Sequence, residues 1–270
     1  MTLELVAQDG LVLLGCGKMG SALLAGWLAA GLPAVSVWVL EPNPTDWLKS
    51  TGVHINQGLP HSPAVALLAV KPQMMGAALP SLQALGNGKT LFVSIAAGTS
   101  IATFETVFGA RTPIVRTMPN TPAMVGRGIT GICGNAHAGV AGLALARTLM
   151  SAVGQVVDLD GEHQIDAVTA VSGSGPAYVF HLIEAMAAAG VAEGLSPDVA
   201  MQLARATVCG AGELAYRSDD TAAQLRINVT SPGGTTAAAL AVLMEPGSGL
   251  TSLLQRAVKA AADRGRELGK

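Results

Sequence analysis

Leu11-Val12-Leu13-Leu14-Gly15-Cys16-Gly17-Lys18-Met19-Gly20-Ser21-Ala22 joins an apolar run to a G-x-G-x-x-G turn and then to an Ala/Leu-rich segment. Four consecutive apolar residues predict a buried strand, and the segment after the turn predicts a helix. In that setting each glycine has a separate physical reason. Gly15 permits the tight turn, Gly17 carries no side chain to block a pyrophosphate, and Gly20 lets the helix pack close to the strand. The helix N-terminus, at Lys18 and Met19, points free N–H groups at the anion. A lone G-x-G-x-x-G also suits a plain flexible loop; its position after a strand and at the start of a helix is what points to a dinucleotide.

Outward from this turn, the first half of the chain alternates strand and helix signals. Apolar runs recur at 11–14, 35–40, 65–70, 90–95 and 113–118, with helical or turn segments at 20–30, 44–50, 74–85 and 100–108 between them. Such alternation predicts an α/β fold, a Rossmann-type parallel sheet covered on both faces. Weaker strand signals follow at 128–133 and 155–159, separated by an amphipathic helix near 137–152. Past about residue 160 the strand signals stop. Pro176 fits the first turn of a helix that runs to Glu193, and Ser196-Pro197-Asp198 reads as the start of another. A third helix begins near Gly234, and a last one spans 249–268 with Leu250, Leu253, Leu254, Ala257, Val258 and Ala261 on one face. The expected organisation is a dinucleotide-binding domain over 1–160 and an all-α domain over 161–270.

In an open parallel sheet, ligands lie beyond the carboxyl ends of the strands. The second strand ends at Glu41, an acid placed to accept a hydrogen bond from an adenine-ribose 2′-OH and to repel a 2′-phosphate. A solvated residue in the Glu41-Pro42-Asn43-Pro44 turn is the other reading. The same rule marks the turns Ala69-Val70-Lys71-Pro72 and Ala96-Ala97-Gly98 for cofactor contact. In Met118-Pro119-Asn120-Thr121-Pro122 the two prolines fix an extended turn and leave Asn120 to bond ligand or backbone. The cofactor is NADH or NADPH, and Glu41, with no arginine in its loop, favours NADH.

Composition narrows the partners. Half of the 270 residues are hydrophobic, 13% are charged and the net charge is −2. That balance suits an oligomer with a large hidden surface and argues against a basic nucleic-acid interface. Cys16, Cys133 and Cys209 are odd in number and far apart, which predicts no disulfide framework and a reducing, cytoplasmic setting. Glu4 and Asp9 stand where a basic leader would lie. The uncharged span from Met19 to Leu40 is interrupted by Gly31-Leu32-Pro33 and reads as helix, turn and strand rather than a membrane span. The five histidines form no metal-binding spacing, so no metal is expected.

Two segments of the second half are built for a ligand. Asp166-Ala167-Val168-Thr169-Ala170-Val171-Ser172-Gly173-Ser174-Gly175-Pro176-Ala177-Tyr178 is rich in small residues that let backbone pass close to another group. Asn228-Val229-Thr230-Ser231-Pro232-Gly233-Gly234-Thr235-Thr236 is a glycine-rich loop opening a helix, whose N–H groups and hydroxyls suit a carboxylate; a plain Ser/Thr cap is the alternative.

With AVKP at 69–72, AAG at 96–98, NTP at 120–122, SGSGPAY at 172–178 and NVTSPGGTT at 228–236, nearly the whole chain resembles the pyrroline-5-carboxylate reductase family. The resemblance implies reduction of 1-pyrroline-5-carboxylate to L-proline. It also implies a substrate carboxylate held by Ser231, Gly233, Gly234 and Thr236, with Thr169 near the ring nitrogen. Family members exchange helices to form a dimer, often assembled further into a decamer, and the active site combines one subunit's cofactor domain with helices of both. Glu41 departs from the small polar or basic residue that many NADPH-using members carry there. A β-hydroxyacid dehydrogenase shares the two-domain plan, but those enzymes resemble one another in a helical-domain lysine, and this chain has none between Lys89 and Lys259. A nucleotide-sensing module without catalysis would leave the two ligand loops unexplained.

Overall fold

The computed structural model describes residues 3–269. It places Leu11–Leu14 as strand β1 inside an eight-stranded sheet. The other strands are β2 (Val37–Leu40), β3 (His54–Ile55), β4 (Val65–Leu68), β5 (Leu91–Ser94), β6 (Ile114–Met118), β7 (Gly128–Gly134) and β8 (Gly154–Asp158). Their order is β3-β2-β1-β4-β5-β6-β7-β8. All pairs are parallel except β6 with β7, which run antiparallel. The reversal follows from the connection: a short 3-10 turn, Thr121–Val125, joins β6 to β7, and a parallel return needs a longer crossover.

β1, β4 and β5 are buried along their whole length, so both sheet faces must be covered. Helices α1 (Leu3–Asp9), α2 (Lys18–Ala29), α3 (Asp46–Ser50), α4 (Met75–Ala78), α5 (Ile101–Phe108) and α6 (Gly139–Ser151) do this. One face packs Leu11, Leu13, Leu67 and Val93 with Leu23, Trp27 and Leu149; the other packs Val12, Leu68 and Phe92 with Phe104 and Phe108. The buried Trp27 indole N–H donates to the Leu149 carbonyl at 2.8 Å, which satisfies its polar atom while joining α2 to α6. The helix expected over 74–85 is α4 followed by a 3-10 stretch, Leu79–Leu85, as Pro80 would clash with a continuing α-helix. Helix α1 and strand β3 carry too little periodicity for sequence to reveal them.

Beyond β8, α7 (Ile165–Val168) leads directly into a π-helical turn, Thr169–Gly173. Helices α8 (Gly175–Ala192), α9 (Pro197–Arg217), α10 (Ala222–Asn228), α11 (Thr235–Leu243) and α12 (Leu250–Leu268) follow. The chain forms two compact units, residues 1–173 with 261–270, and residues 174–260. The sequence boundary at 160/161 therefore differs from this division. The difference arises because α7, the π turn and the end of α12 pack on the sheet unit: the Gly265 backbone lies against the Asp166 side chain, and Gly98 against the Leu268 backbone.

The helical unit has a small core. Ala187, Ala200 and Ala204 are buried against Ile183, and the Gly190 backbone packs close to Ala200 and Leu195. Met186 is exposed, as are Phe180 at 61% and Leu203 at 52%. Leu250, Leu253 and Leu254 of the α12 stripe are also exposed. Burying such side chains is worth about 1.5–3 kcal/mol each, so their exposure marks a surface that gains by association. Among the described residues, one segment, Glu162–Ala192, is long and apolar enough to cross a membrane by length and composition alone. The span from Met19 to Leu40 forms α2, a turn and β2.

Candidate active site

The glycine loop separates into positions that the fold requires and one that it does not. Gly15 has φ +89°, and a Cβ there would stand 2.8 Å from Val70 Cγ1 and 3.0 Å from the Ala69 backbone. A Cβ on Gly20 would stand 2.6 Å from the Gly15 carbonyl oxygen. Gly17 is different. It is the N-cap of α2 with an ordinary φ of −69° and no side-chain cap, and among the described residues no atom lies within 4 Å of the position a Cβ would take. Neither conformation nor packing asks for glycine at 17. A close external approach would, and the first N–H groups of α2, at Lys18 and Met19, are not capped by a side chain. This cradle fits a pyrophosphate.

Glu41 stands next to the loop. Its Oε2 accepts the Cys16 N–H at 2.8 Å and its Oε1 accepts the Asn43 N–H at 3.0 Å. Asn56, a residue that sequence reasoning passed over, pairs with the Glu41 backbone: its side-chain oxygen accepts the Glu41 N–H at 2.9 Å, and its amide donates to the Glu41 carbonyl at 2.8 Å. Asn56 holds φ +51°, a conformation that asparagine tolerates better than most residues. A carboxylate offers about four acceptor sites, so two backbone bonds leave Glu41 able to accept from a ribose hydroxyl. The Cys16 thiol is pushed up to about 11, chiefly by burial and further by the Glu41 charge, so it stays a protonated, inert group under the loop.

The other predicted turns line the same edge of the sheet. Ala69 N–H donates to the Leu14 carbonyl at 2.7 Å, directly beside the glycine loop. Val70 packs on Gly15, and Lys71 and Pro72 are exposed at the start of a 3-10 turn. After β5, Ala96 N–H donates to Ser94 Oγ at 3.2 Å, Ala97 is half-buried and Gly98 takes φ +74°. After β6, Asn120 is buried and has both ends of its amide engaged. Its oxygen accepts the Ile129 N–H at 2.9 Å, and its nitrogen donates to the Ser172 carbonyl at 3.1 Å. Asn120 thus ties the β6 turn to the π turn, where Thr169 lies. The Thr169 hydroxyl donates to the Ile165 carbonyl at 2.8 Å, which commits its proton and leaves its lone pairs as the available feature. π-Helical turns are rare and cluster at functional sites.

The helical unit holds the second loop. Asn228 is fixed by Gln224, which donates to its side-chain oxygen at 2.7 Å, and by Asp220, which accepts from its nitrogen at 3.2 Å. Thr230 Oγ1 donates to the Arg226 carbonyl at 2.6 Å. Gly233 takes φ +68°, and Gly234 N–H donates to the Ser231 carbonyl at 3.0 Å. Gly234 is the N-cap of α11 and has no side chain to cap it. The first N–H groups of α11 therefore have no side-chain cap, and Ser231 and Thr235 are exposed near them in sequence, the chemistry that an anion would use. Asn228 holds this loop in shape. On α8, His181 and Glu184 form an exposed pair at 3.2 Å. Among the described residues, no three His, Cys, Asp or Glu side chains group as metal ligands.

Residues 162–268 match the family described as pyrroline-5-carboxylate reductase dimerisation. Residues 11–98 match the family described as NADP oxidoreductase, coenzyme F420-dependent. A pyrroline-5-carboxylate reductase of Pseudomonas aeruginosa is 41% identical over 95% of this chain and 96% of its own. One from Synechocystis is 43% identical over 96% of this chain and 97% of its own. The chain belongs to the pyrroline-5-carboxylate reductase family. The solved pyrroline-5-carboxylate reductase of Coxiella burnetii superposes with a TM-score of 0.91 at 35% identity, covering 97% of this chain and 99% of that one. A Plasmodium falciparum pyrroline carboxylate reductase with NADP bound superposes with a TM-score of 0.81 at 30% identity, covering 97% and 98%. The family's dimerisation match begins at Glu162, so it takes in α7 and the π turn, which pack with the sheet unit.

Proposed function

We propose that this chain reduces 1-pyrroline-5-carboxylate to L-proline with NADH or NADPH. The observation that carries the reading is the full-length likeness to pyrroline-5-carboxylate reductases, at 41% and 43% identity to two of them. Gly17 supports it from the geometry, since glycine there answers no internal need. A bound dihydronicotinamide supplies the hydride. The imine carbon gains that hydride, the nitrogen carries a proton, and the C=N bond becomes CH–NH.

The chain's own residues bind and orient. The loop at Gly15, Gly17, Lys18, Met19 and Gly20 holds the pyrophosphate. Glu41 accepts from the adenine ribose, and its negative charge favours NADH. The turns at 69–72 and 96–98 line the cofactor with backbone groups, and Asn120 keeps the β6 turn fixed beside them. Ser231, Gly233, Gly234, Thr235 and Thr236 hold the substrate carboxylate, in a loop kept in shape by Asn228. Thr169 accepts from the N–H of the protonated ring nitrogen, because its own proton is spent on Ile165. Charge on that nitrogen makes the imine carbon electrophilic, so no strong general acid is required of the protein.

The dimerisation match and the exposed apolar residues of α8, α9 and α12 support a dimer as the working unit; a decamer is the further assembly that the family resemblance implies. They also support reading the exposed apolar residues of α8, within the span Glu162–Ala192, as covered between subunits rather than by lipid. The free cysteines suit a reducing cytoplasm. The test is a steady-state assay with pyrroline-5-carboxylate and each dinucleotide, following loss of dihydronicotinamide absorbance and appearance of proline. Turnover with proline formed is expected; no turnover with either dinucleotide overturns the reading.

A further inference from the structure

Glu162 has no part in the reading above, yet one of its oxygens joins three of the segments that form the site. It opens the 3-10 turn Glu162–Gln164, which continues without a break into α7 and the π turn of Thr169. Its Oε1 accepts from Arg116 Nη1 at 2.5 Å and from the Ile101 N–H at 2.7 Å. Arg116 lies in the middle of β6, its side chain only 8% exposed. It is the strand that leads to the Asn120 turn. Ile101 is the first residue of α5, directly after the Ala96–Gly98 turn. Beside this junction lies a cavity of about 390 Å³ lined by Gly98, Arg116, Glu162 and Asp166.

We propose that Glu162 is a positioning residue, whose carboxylate holds β6, the N-terminus of α5 and the segment carrying Thr169 in one arrangement. The physical argument has three parts. First, Arg116 is charged and buried, and Glu162 is the acid within bonding distance of it, so the pair cannot drift apart without leaving an uncompensated charge. Second, the N-terminal N–H groups of a helix lack intrahelical partners. The Ser100 hydroxyl takes the Thr103 N–H, and Glu162 takes that of Ile101, so α5 is anchored from outside its own sequence. Third, the second tie, from Asn120 to the Ser172 carbonyl, closes the far end of the same segment. The turns at 96–98 and 120 and the Thr169 hydroxyl are thereby fixed relative to one another. Hydride transfer is sensitive to such placement, so loss of the tie lowers kcat more than it weakens binding.

This inference rests on the reductase reading, so wild-type turnover is measured first; its absence fails that reading and leaves the exchange arm below to judge Glu162. In ligand-free protein, Glu162→Gln is expected to raise amide hydrogen exchange at least tenfold in peptides covering 96–103 and 165–173, with peptides covering 11–20 unchanged. In turnover, kcat is expected to fall about tenfold, with KM for both substrates within threefold. The isotope effect on kcat with a nicotinamide deuterated at C4 should rise. A second variant removes the buried charge together with its partner: Arg116→Met with Glu162→Leu should unfold near the wild-type temperature and still show the reduced kcat. Exchange that rises uniformly, exchange that does not change, or a paired variant with wild-type kcat each overturns the proposal.

Discussion

The Glu41 carboxylate is hydrogen-bonded to the backbone N–H of Cys16 at 2.8 Å, so the acid at the end of β2 is physically part of the glycine loop. A residue so placed does two things. It shapes the glycine loop, and in the proposed cofactor reading it puts negative charge where a 2′-phosphate would lie. Asn56 keeps it there by pairing with both backbone groups of Glu41.

Replacing Glu41 with serine separates these roles. Glu41→Ser removes the charge and the hydrogen bond to the Cys16 N–H. The ratio of kcat/KM for NADPH to that for NADH should rise about tenfold, roughly 1.4 kcal/mol of altered discrimination. The absolute KM for NADH should rise as well, because the loop loses an anchor. A ratio that does not move shows that Glu41 is a loop residue alone.

The buried thiols give a pH signature. Cys16 is raised from 9.0 to about 11 by burial and by the Glu41 charge. Cys133 is raised to about 11 by burial, opposed by Arg116 and reinforced by Glu162. In the unfolded chain both lose their protons near the ordinary value, while the folded chain keeps them. The thiols' contribution to stability is thus complete below about pH 9 and is lost as pH rises through about 11. Urea midpoints should fall between pH 8 and pH 10.5, and the fall should be smaller in Cys16→Ala with Cys133→Ala. An equal fall in that variant assigns the effect to other groups.

Much of this was legible in the sequence because burial on both sheet faces leaves continuous apolar runs, as at 11–14, 65–68 and 91–94, and because glycines at 15, 17 and 20 have a fixed meaning between strand and helix. The antiparallel turn of β7 was not, since its direction depends on the length of a connection rather than on the strand's own residues. Asn56 and Glu162 were also hidden. Each acts by bonding backbone far along the chain, and no local spacing encodes such a bond. The compact-unit division at 173/174 differs from the 160/161 boundary for a related reason: the helical pattern starts at 162, but its first turns bury Ile165 and Ala170 within the sheet unit. For Asn120 the two prolines showed a rigid turn, and only the structure shows both ends of its amide spent on Ile129 and Ser172.

The loop before α11 should govern substrate affinity and leave the cofactor alone. Ser231→Ala and Thr236→Ala each remove a hydroxyl beside the uncapped helix end. A hydrogen bond to a charged group contributes about 1.5–3 kcal/mol, so each change should raise KM for pyrroline-5-carboxylate roughly tenfold or more. KM for the dinucleotide should stay within twofold. Asn228→Ala should act in the same direction by releasing the loop from Gln224 and Asp220. Parallel rises for substrate and dinucleotide would remove the carboxylate assignment.

Gly15 and Gly17 should part company under the same substitution. Gly15→Ala forces a side chain into φ +89° and against the Ala69 backbone at 3.0 Å. The left-handed conformation alone costs about 1–2 kcal/mol, so thermal stability should drop before any ligand is added. Gly17→Ala meets no atom within 4 Å among the described residues and keeps an ordinary φ of −69°. Its stability should stay within about 1 kcal/mol of wild type, a small change at the N-cap. Its dinucleotide Kd, measured by calorimetry, should nonetheless rise at least tenfold, because the new methyl occupies the approach to the α2 N-terminus. If Gly17→Ala binds dinucleotide as wild type does, the loop does not hold a pyrophosphate, and the cofactor assignment at residues 15–20 fails with it.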